Sequence, residues 1–232
     1  RSSMYRRKLV VTDSVFSMDG DTAPLPEIVN IAKRYDAILM VDDAHATGVF
    51  GKQGKGMIEH CGLEGKIDIV MGSLSKAVGS IGGFIAGSKP LIDFLKNKAR
   101  PFIYTTALPP AVCAASMAGL TLIQEDVSLI DTLWKNIAFL KSRLSTFMDT
   151  IAGESPIVPL IVGSAEDAVN LSTKLYQNGI LIPAIRPPTV PPGTSRLRIS
   201  LMATHSADDI NRLIDILQYV GFLTREHVKD VC

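Results

Sequence analysis

Apolar residues along this chain fall into two patterns, short continuous runs in the first half and helical stripes that grow more frequent after it. Runs at residues 9–12, 37–41, 67–71 and 84–86 have the length and bounding polar turns of strands. The run at 37–41 is closed by Asp42, Asp43, Ala44 and His45, which predicts a parallel strand buried on both faces. Between the first two runs lies a polar loop holding Asp19 and Gly20, and then a helix over 26–35 opened by Pro26 and Glu27. Strand, loop, helix and strand form a βαβ unit. Further helices are predicted over 88–97 and 109–124, and over 129–150, where Leu133, Ile137, Leu140 and Leu144 make one stripe. The alternation then restarts: strand at 157–162, helix at 164–178 stopped by Gly179, strand at 180–185, strand at 196–201 and an amphipathic helix at 206–220. The chain therefore reads as α/β. Residues 1–125 form the larger part, with a mainly parallel sheet, and 126–232 a smaller C-terminal α/β domain.

Composition narrows the function classes. With 232 residues and 47% hydrophobic content the chain can build one large core or two small ones. Basic side chains number 24 and acidic ones 23, so no polyanion partner is indicated, and the cluster Arg6, Arg7, Lys8 is too short for a nucleic-acid surface. Cys61, Cys113 and Cys232 form no CxxC pair, which argues against a disulfide scaffold or a zinc site and places the chain in a reducing cytoplasm. No apolar run approaches about 18 residues and the start lacks a leader-like apolar stretch, so neither membrane insertion nor export is expected. The strand at 9–12 begins without cap or linker, which predicts further chain ahead of it.

Candidate chemistry centres on Lys76, set among small residues in GSLSKAVGSIGG at 72–83. Gly79, Gly82 and Gly83 allow tight turns and the close approach of a bulky ligand. An amine so placed suits a Schiff base, although an exposed loop lysine is the plain alternative. In open α/β sheets ligands gather beyond the strand ends, and that brings Asp42 and His45 to the region of Lys76. A pyridoxal phosphate enzyme needs these residue types: a lysine for the imine carbon, a carboxylate to keep the ring nitrogen protonated, and a donor for the phenolic oxygen. Read singly, Asp42 and Asp43 are strand-end turn caps and His45 a surface histidine. GKQGKG at 51–56 lacks the spacing of a phosphate loop or nucleotide fingerprint, and Cys61 beside His60 lacks further ligands at zinc spacing.

VFSMDGD at 15–21, VDDAHATG at 41–48 and GSLSKAVGSIGG at 72–83 resemble the α-oxoamine synthases. These are pyridoxal phosphate enzymes of the aspartate-aminotransferase fold type (fold type I), which condense an amino acid with an acyl-CoA and release carbon dioxide. The resemblance covers essentially the whole chain as the later part of a complete enzyme, and it implies a preceding segment that completes the site. By position, Lys76 resembles the lysine that holds the cofactor, Asp42 the partner of the ring nitrogen and His45 the contact to the phenolic oxygen. Ser17 and Ser73 resemble cofactor contacts; Ser73 stands where many members have threonine, and Ser75 where many have glycine. Thr105 and Thr106 resemble residues that reach the cofactor phosphate of a neighbouring subunit, which implies a homodimer.

The stretch AIRPPTVPPGTSRLRISL at 184–201 resembles the segment that grips the amino-acid carboxylate. An arginine fork binds a carboxylate bidentately, and Arg198 is the residue chosen for it. Arg186 and Thr189, on a proline-stiffened loop, resemble substrate contacts of the branch that makes 8-amino-7-oxononanoate for biotin. The expected substrates are thus L-alanine and pimeloyl-CoA. The alternatives are a glycine acyltransferase such as 2-amino-3-ketobutyrate ligase, a non-catalytic partner subunit, against which the retained Lys76 argues, and a truncated product.

Overall fold

The computed structural model describes residues 5–148 and 151–223. Thr150, Cys232 and the first four residues of the basic opening stretch lie outside these. The chain divides into two compact units: Thr22–Ile130 with the segment up to Val15, and Asp131 onward with the loop Phe16–Asp21.

In the first unit, β1 (Leu9–Asp13), α1 (Leu25–Arg34) and β2 (Ile38–Asp42) form a parallel βαβ crossover, with Leu9 beside Ile38 and Asp13 beside Asp42. α1 buries Leu25, Val29 and Ala32, spaced to share one face, and carries Glu27 in its first turn and Lys33 and Arg34 in its last, as the helix dipole favours. A short α2 (Met57–His60) precedes β3 (Ile69–Ser73), which is parallel to β2. β4 (Gly83–Gly87) returns antiparallel to β3, so the sheet order is β1-β2-β3-β4. α3 (Lys89–Lys98), α4 (Arg100–Ile103) and α5 (Pro110–Glu125) follow.

Two expectations change here. β3 runs on to Ser73 instead of stopping at Met71, because the antiparallel partner Gly83 carries the ladder past the apolar run. β2 is not buried on both faces: Leu39 is 1% exposed but Ile38 is 42% exposed. The alternation places Leu39 and Val41 on one face, and α1 packs against β2.

α6 (Ser128–Leu144), which enters the second unit at Asp131, leads to β5 (Ile157–Gly163), α7 (Ala165–Gln177), β6 (Ala184–Ile185), β7 (Ser195–Ser200) and α8 (Ala207–Tyr219). The sheet of this unit is antiparallel, in the order β5-β7-β6. Leu140, Leu160, Leu175, Leu197 and Ile214 are fully buried in its core. Ser164 caps α7 through the Asp167 amide, and Ser206 with Asp209 closes a reciprocal capping box on α8. These bonds hold the Asp209 carboxyl below its usual range, the backbone bond at Ser206 contributing most.

α6 ends at Leu144, short of 150, where the Ser145 and Thr146 hydroxyls turn back onto the Ser142 and Arg143 carbonyls. The strand expected over 180–185 shrinks to Ala184–Ile185. Pro183 has no amide to donate, and the Ile182 carbonyl is taken by the Ser172 hydroxyl at 2.6 Å. Among the described residues no helix is long and apolar enough to cross a membrane.

Candidate active site

The three parallel strands of the first unit end on one edge, at Asp13, Asp42 and Ser73. Asp13 and Asp42 are register partners on adjacent strands, so their side chains leave the sheet on the same face. Asp42 Oδ1 accepts the Ala44 amide at 2.9 Å, which bends the chain into the turn that carries half-buried His45. Asp43 does different work. It is 1% exposed, its carboxylate accepts the Met57 amide at 3.2 and 3.3 Å, and its carbonyl accepts the amides of Ala46 and Thr47. Burial raises the Asp43 carboxyl above its ordinary value, while its hydrogen bonds pull the other way. The adjacent aspartates that the sequence could not separate are one edge carboxylate and one internal strut.

Gly56 makes that strut possible. It has φ +108°, and a Cβ there would stand 1.7 Å from Asp43 Oδ2. Gly56→Ala is expected to cost about 2–3 kcal/mol in denaturant unfolding, combining backbone strain with displacement of the buried carboxylate. A loss below about 0.5 kcal/mol would refute the role given to Asp43.

Lys76 lies exposed in the turn between β3 and β4. The turn is tied at both ends: the Leu74 amide donates to the Gly82 carbonyl at 2.9 Å, the Ser80 amide to the Leu74 carbonyl at 2.8 Å, and the Gly79 amide to the Lys76 carbonyl at 3.0 Å. Ser73 Oγ accepts the Ser75 amide at 3.1 Å and lies 2.8 Å from Ser75 Oγ. From α5, Ser116 Oγ donates to Ser80 Oγ at 2.9 Å and pins the far side of the turn. Lys76 thus projects an exposed amine from a hydrogen-bonded turn. Its charge is felt at Asp13, whose carboxyl is raised first by burial and then by the Asp42 carboxylate, with Lys76 opposing. Asp13 thus feels both the Asp42 carboxylate and the Lys76 amine. Asp13 was missed by sequence reasoning, and only its place at the end of the first strand could have hinted at it.

Thr105 and Thr106 are exposed beyond α4 in the same unit, and the Thr105 hydroxyl donates to the Pro101 carbonyl. Ser17, Arg186, Thr189 and Arg198 belong to the second unit. Ser17 is half-buried in the Phe16–Asp21 loop, while Arg186 and Thr189 are exposed on a loop anchored by buried Val190. Arg198 sits on β7 opposite Pro159. Burial lowers its pKa, and its buried Nε has no hydrogen-bond partner. A desolvated guanidinium nitrogen left without a partner is costly unless an anion or other acceptor meets it. Its neighbour Arg196 is more deeply buried and is already paired, with Asp19.

The chain matches the aminotransferase class I and II family over residues 2–217. It belongs to that family. This aminotransferase-family chain is 51% identical over 217 residues to 8-amino-7-oxononanoate synthase of Methylobacillus flagellatus, an alignment covering 93% of the chain and 54% of that protein. It is 44% identical over 219 residues to 8-amino-7-oxononanoate synthase 1 of Bacillus subtilis, with 94% and 56% covered. Among solved structures it superposes on serine palmitoyltransferase of S. paucimobilis with bound PLP–myriocin aldimine at a TM-score of 0.88 and 36% identity, over 93% of this chain and 55% of that one. On 8-amino-7-oxononanoate synthase of Francisella tularensis the TM-score is 0.79 and the identity 29%, over 94% and 64%. The fold is that of the fold-type I pyridoxal phosphate transferases, and the resemblance to the α-oxoamine synthases stands. The chain spans about half the length of the curated relatives it matches.

Proposed function

We propose that this chain is part of a pyridoxal phosphate enzyme that condenses L-alanine with pimeloyl-CoA, releasing coenzyme A and carbon dioxide and yielding 8-amino-7-oxononanoate. The observation that carries the reading is the exposed Lys76 amine, held on a tied turn, whose charge reaches Asp13, the register partner of Asp42 at the strand edge. That donor set fits the cofactor: an amine for its carbonyl carbon, and an anion at the strand edge for its ring nitrogen. When bound, pyridoxal phosphate supplies the electron sink that stabilises negative charge at the substrate Cα.

Lys76 would hold the cofactor, and its amine would take the Cα proton of the amino acid and later return one. Asp42 keeps the ring nitrogen protonated, and His45 is assigned the phenolic oxygen. Ser17 and Ser73 are further cofactor contacts, and Thr105 and Thr106 serve the phosphate of the partner site in a cytoplasmic homodimer. Arg198 orients alanine by its carboxylate, with Arg186 and Thr189 as further substrate contacts. The names of the relatives in Methylobacillus and Bacillus support this substrate pair.

The holoenzyme should release one thiol equivalent of coenzyme A from pimeloyl-CoA for each 8-amino-7-oxononanoate formed from L-alanine, as measured by thiol titration and mass spectrometry. Faster turnover with glycine and acetyl-CoA would replace this reading with a glycine acyltransferase.

A further inference from the structure

The loop Phe16–Asp21 leaves the first sheet after β1 and returns through the isolated bridge Val15–Thr22, yet it packs with the second unit. Its internal shape is closed by two bonds, from the Phe16 amide to the Asp21 carbonyl at 2.9 Å and from the Gly20 amide to the Phe16 carbonyl at 2.8 Å. The Gly20 carbonyl accepts the Glu154 amide at 2.9 Å, and at φ +70° Gly20 lies so near β5 that a Cβ would come 2.2 Å from the Ile157 carbonyl oxygen. The tip of the loop is held by Arg196. This side chain, 6% exposed, reaches from β7 to pair with Asp19, and it also donates to the Met18 carbonyl at 3.4 Å and to its own Thr194 carbonyl at 3.0 Å. Arg196 and Arg198 are two residues apart on β7 and so share a face of the strand.

The geometry points to Arg196 as a positioning residue: by gripping Asp19 and the Met18 carbonyl on either side of the loop tip, it fixes Ser17 to the strand that carries Arg198. The two arginines of β7 then divide the work, one locking a cofactor-contact loop and the other left open for the substrate anion. This inference rests on the reading of Ser17 as a cofactor contact. A buried guanidinium that loses its carboxylate is left uncompensated, so the grip is cooperative and its loss should free the loop as a unit.

The test uses Arg196→Met, which keeps the aliphatic stem, and Asp19→Asn, which keeps the shape of a half-exposed partner and carries the test if the first variant does not fold. In the holoenzyme, hydrogen exchange at the Phe16 and Gly20 amides should quicken roughly tenfold or more while β5 and β7 exchange as in the parent. Affinity for pyridoxal phosphate should fall about tenfold in the Ser17 background and fall no further when Ser17→Ala is already present. Unchanged exchange in both variants would overturn the grip. An equal loss of affinity with and without Ser17 would overturn its action through that residue. If Ser17→Ala alone leaves affinity at the parent value, the cofactor reading of Ser17 fails, and the exchange data still decide whether Arg196 holds the loop.

Discussion

Lys76→Ala is expected to lower turnover by at least roughly a thousandfold and to abolish the adduct that borohydride reduction leaves on this chain in the presence of pyridoxal phosphate. The expected effect is large because, in the proposed function, one amine serves twice, as the attachment point of the cofactor and as the base at Cα. It is also specific. Lys76 is exposed and its turn is held by backbone and serine hydrogen bonds that do not involve its side chain, so unfolding free energy should shift by no more than about 0.5 kcal/mol. Lys76→Arg separates the two charges of the argument: it keeps the cation near Asp13 but cannot form the covalent link, and it should be as inactive as alanine. Removal of the cation should also raise the Asp13 carboxyl further, since Lys76 now opposes the lift from burial and Asp42. Carboxyl titration by NMR reads that direction. A Lys76→Ala protein with parent turnover, or a parent adduct located on another lysine, would sink the assignment.

Arg198→Leu should raise the KM for alanine about a hundredfold and leave the KM for the acyl-CoA near its parent value, the signature of a lost charge-assisted carboxylate contact. The signature that separates this from structural damage is stability. In the free protein the Arg198 Nε is buried without a partner and burial already disfavours its charge, so replacing it with leucine should leave stability unchanged or raise it. Arg196→Met should bring no such gain, because its charge is already satisfied by Asp19. An alanine KM unaffected by Arg198→Leu would remove Arg198 from the substrate site, whatever the effect on folding.

Much of the candidate site was legible because its residues close apolar runs. Asp42 and His45 follow the run that becomes β2, and Lys76 follows the one that becomes β3, so strand prediction alone carried them to one edge. Asp13 escaped notice because its importance comes from parallel pairing with Asp42, a partner 29 residues away that no local pattern announces. The different fates of Asp42 and Asp43 were equally hidden. Side-chain alternation predicts that they face opposite ways, but only the arrival of Met57 and Gly56 makes one of them internal.

Taken alone, the sequence determined the elements themselves: the βαβ opening, the helices that become α7 and α8, the glycine stop at 179 and the proline-stiffened loop that carries Arg186 and Thr189. These depend on bonds and contacts spanning a few residues, where periodicity and cap chemistry act directly. Tertiary structure decided which equivalent-looking residues differ. Two arginines in the same strand are indistinguishable by pattern, yet Asp19, 177 residues from Arg196, pairs with that one and leaves the Nε of Arg198 open. Such a choice is made by chain segments brought together only after loops have closed over long separations, and local propensity contains no record of it.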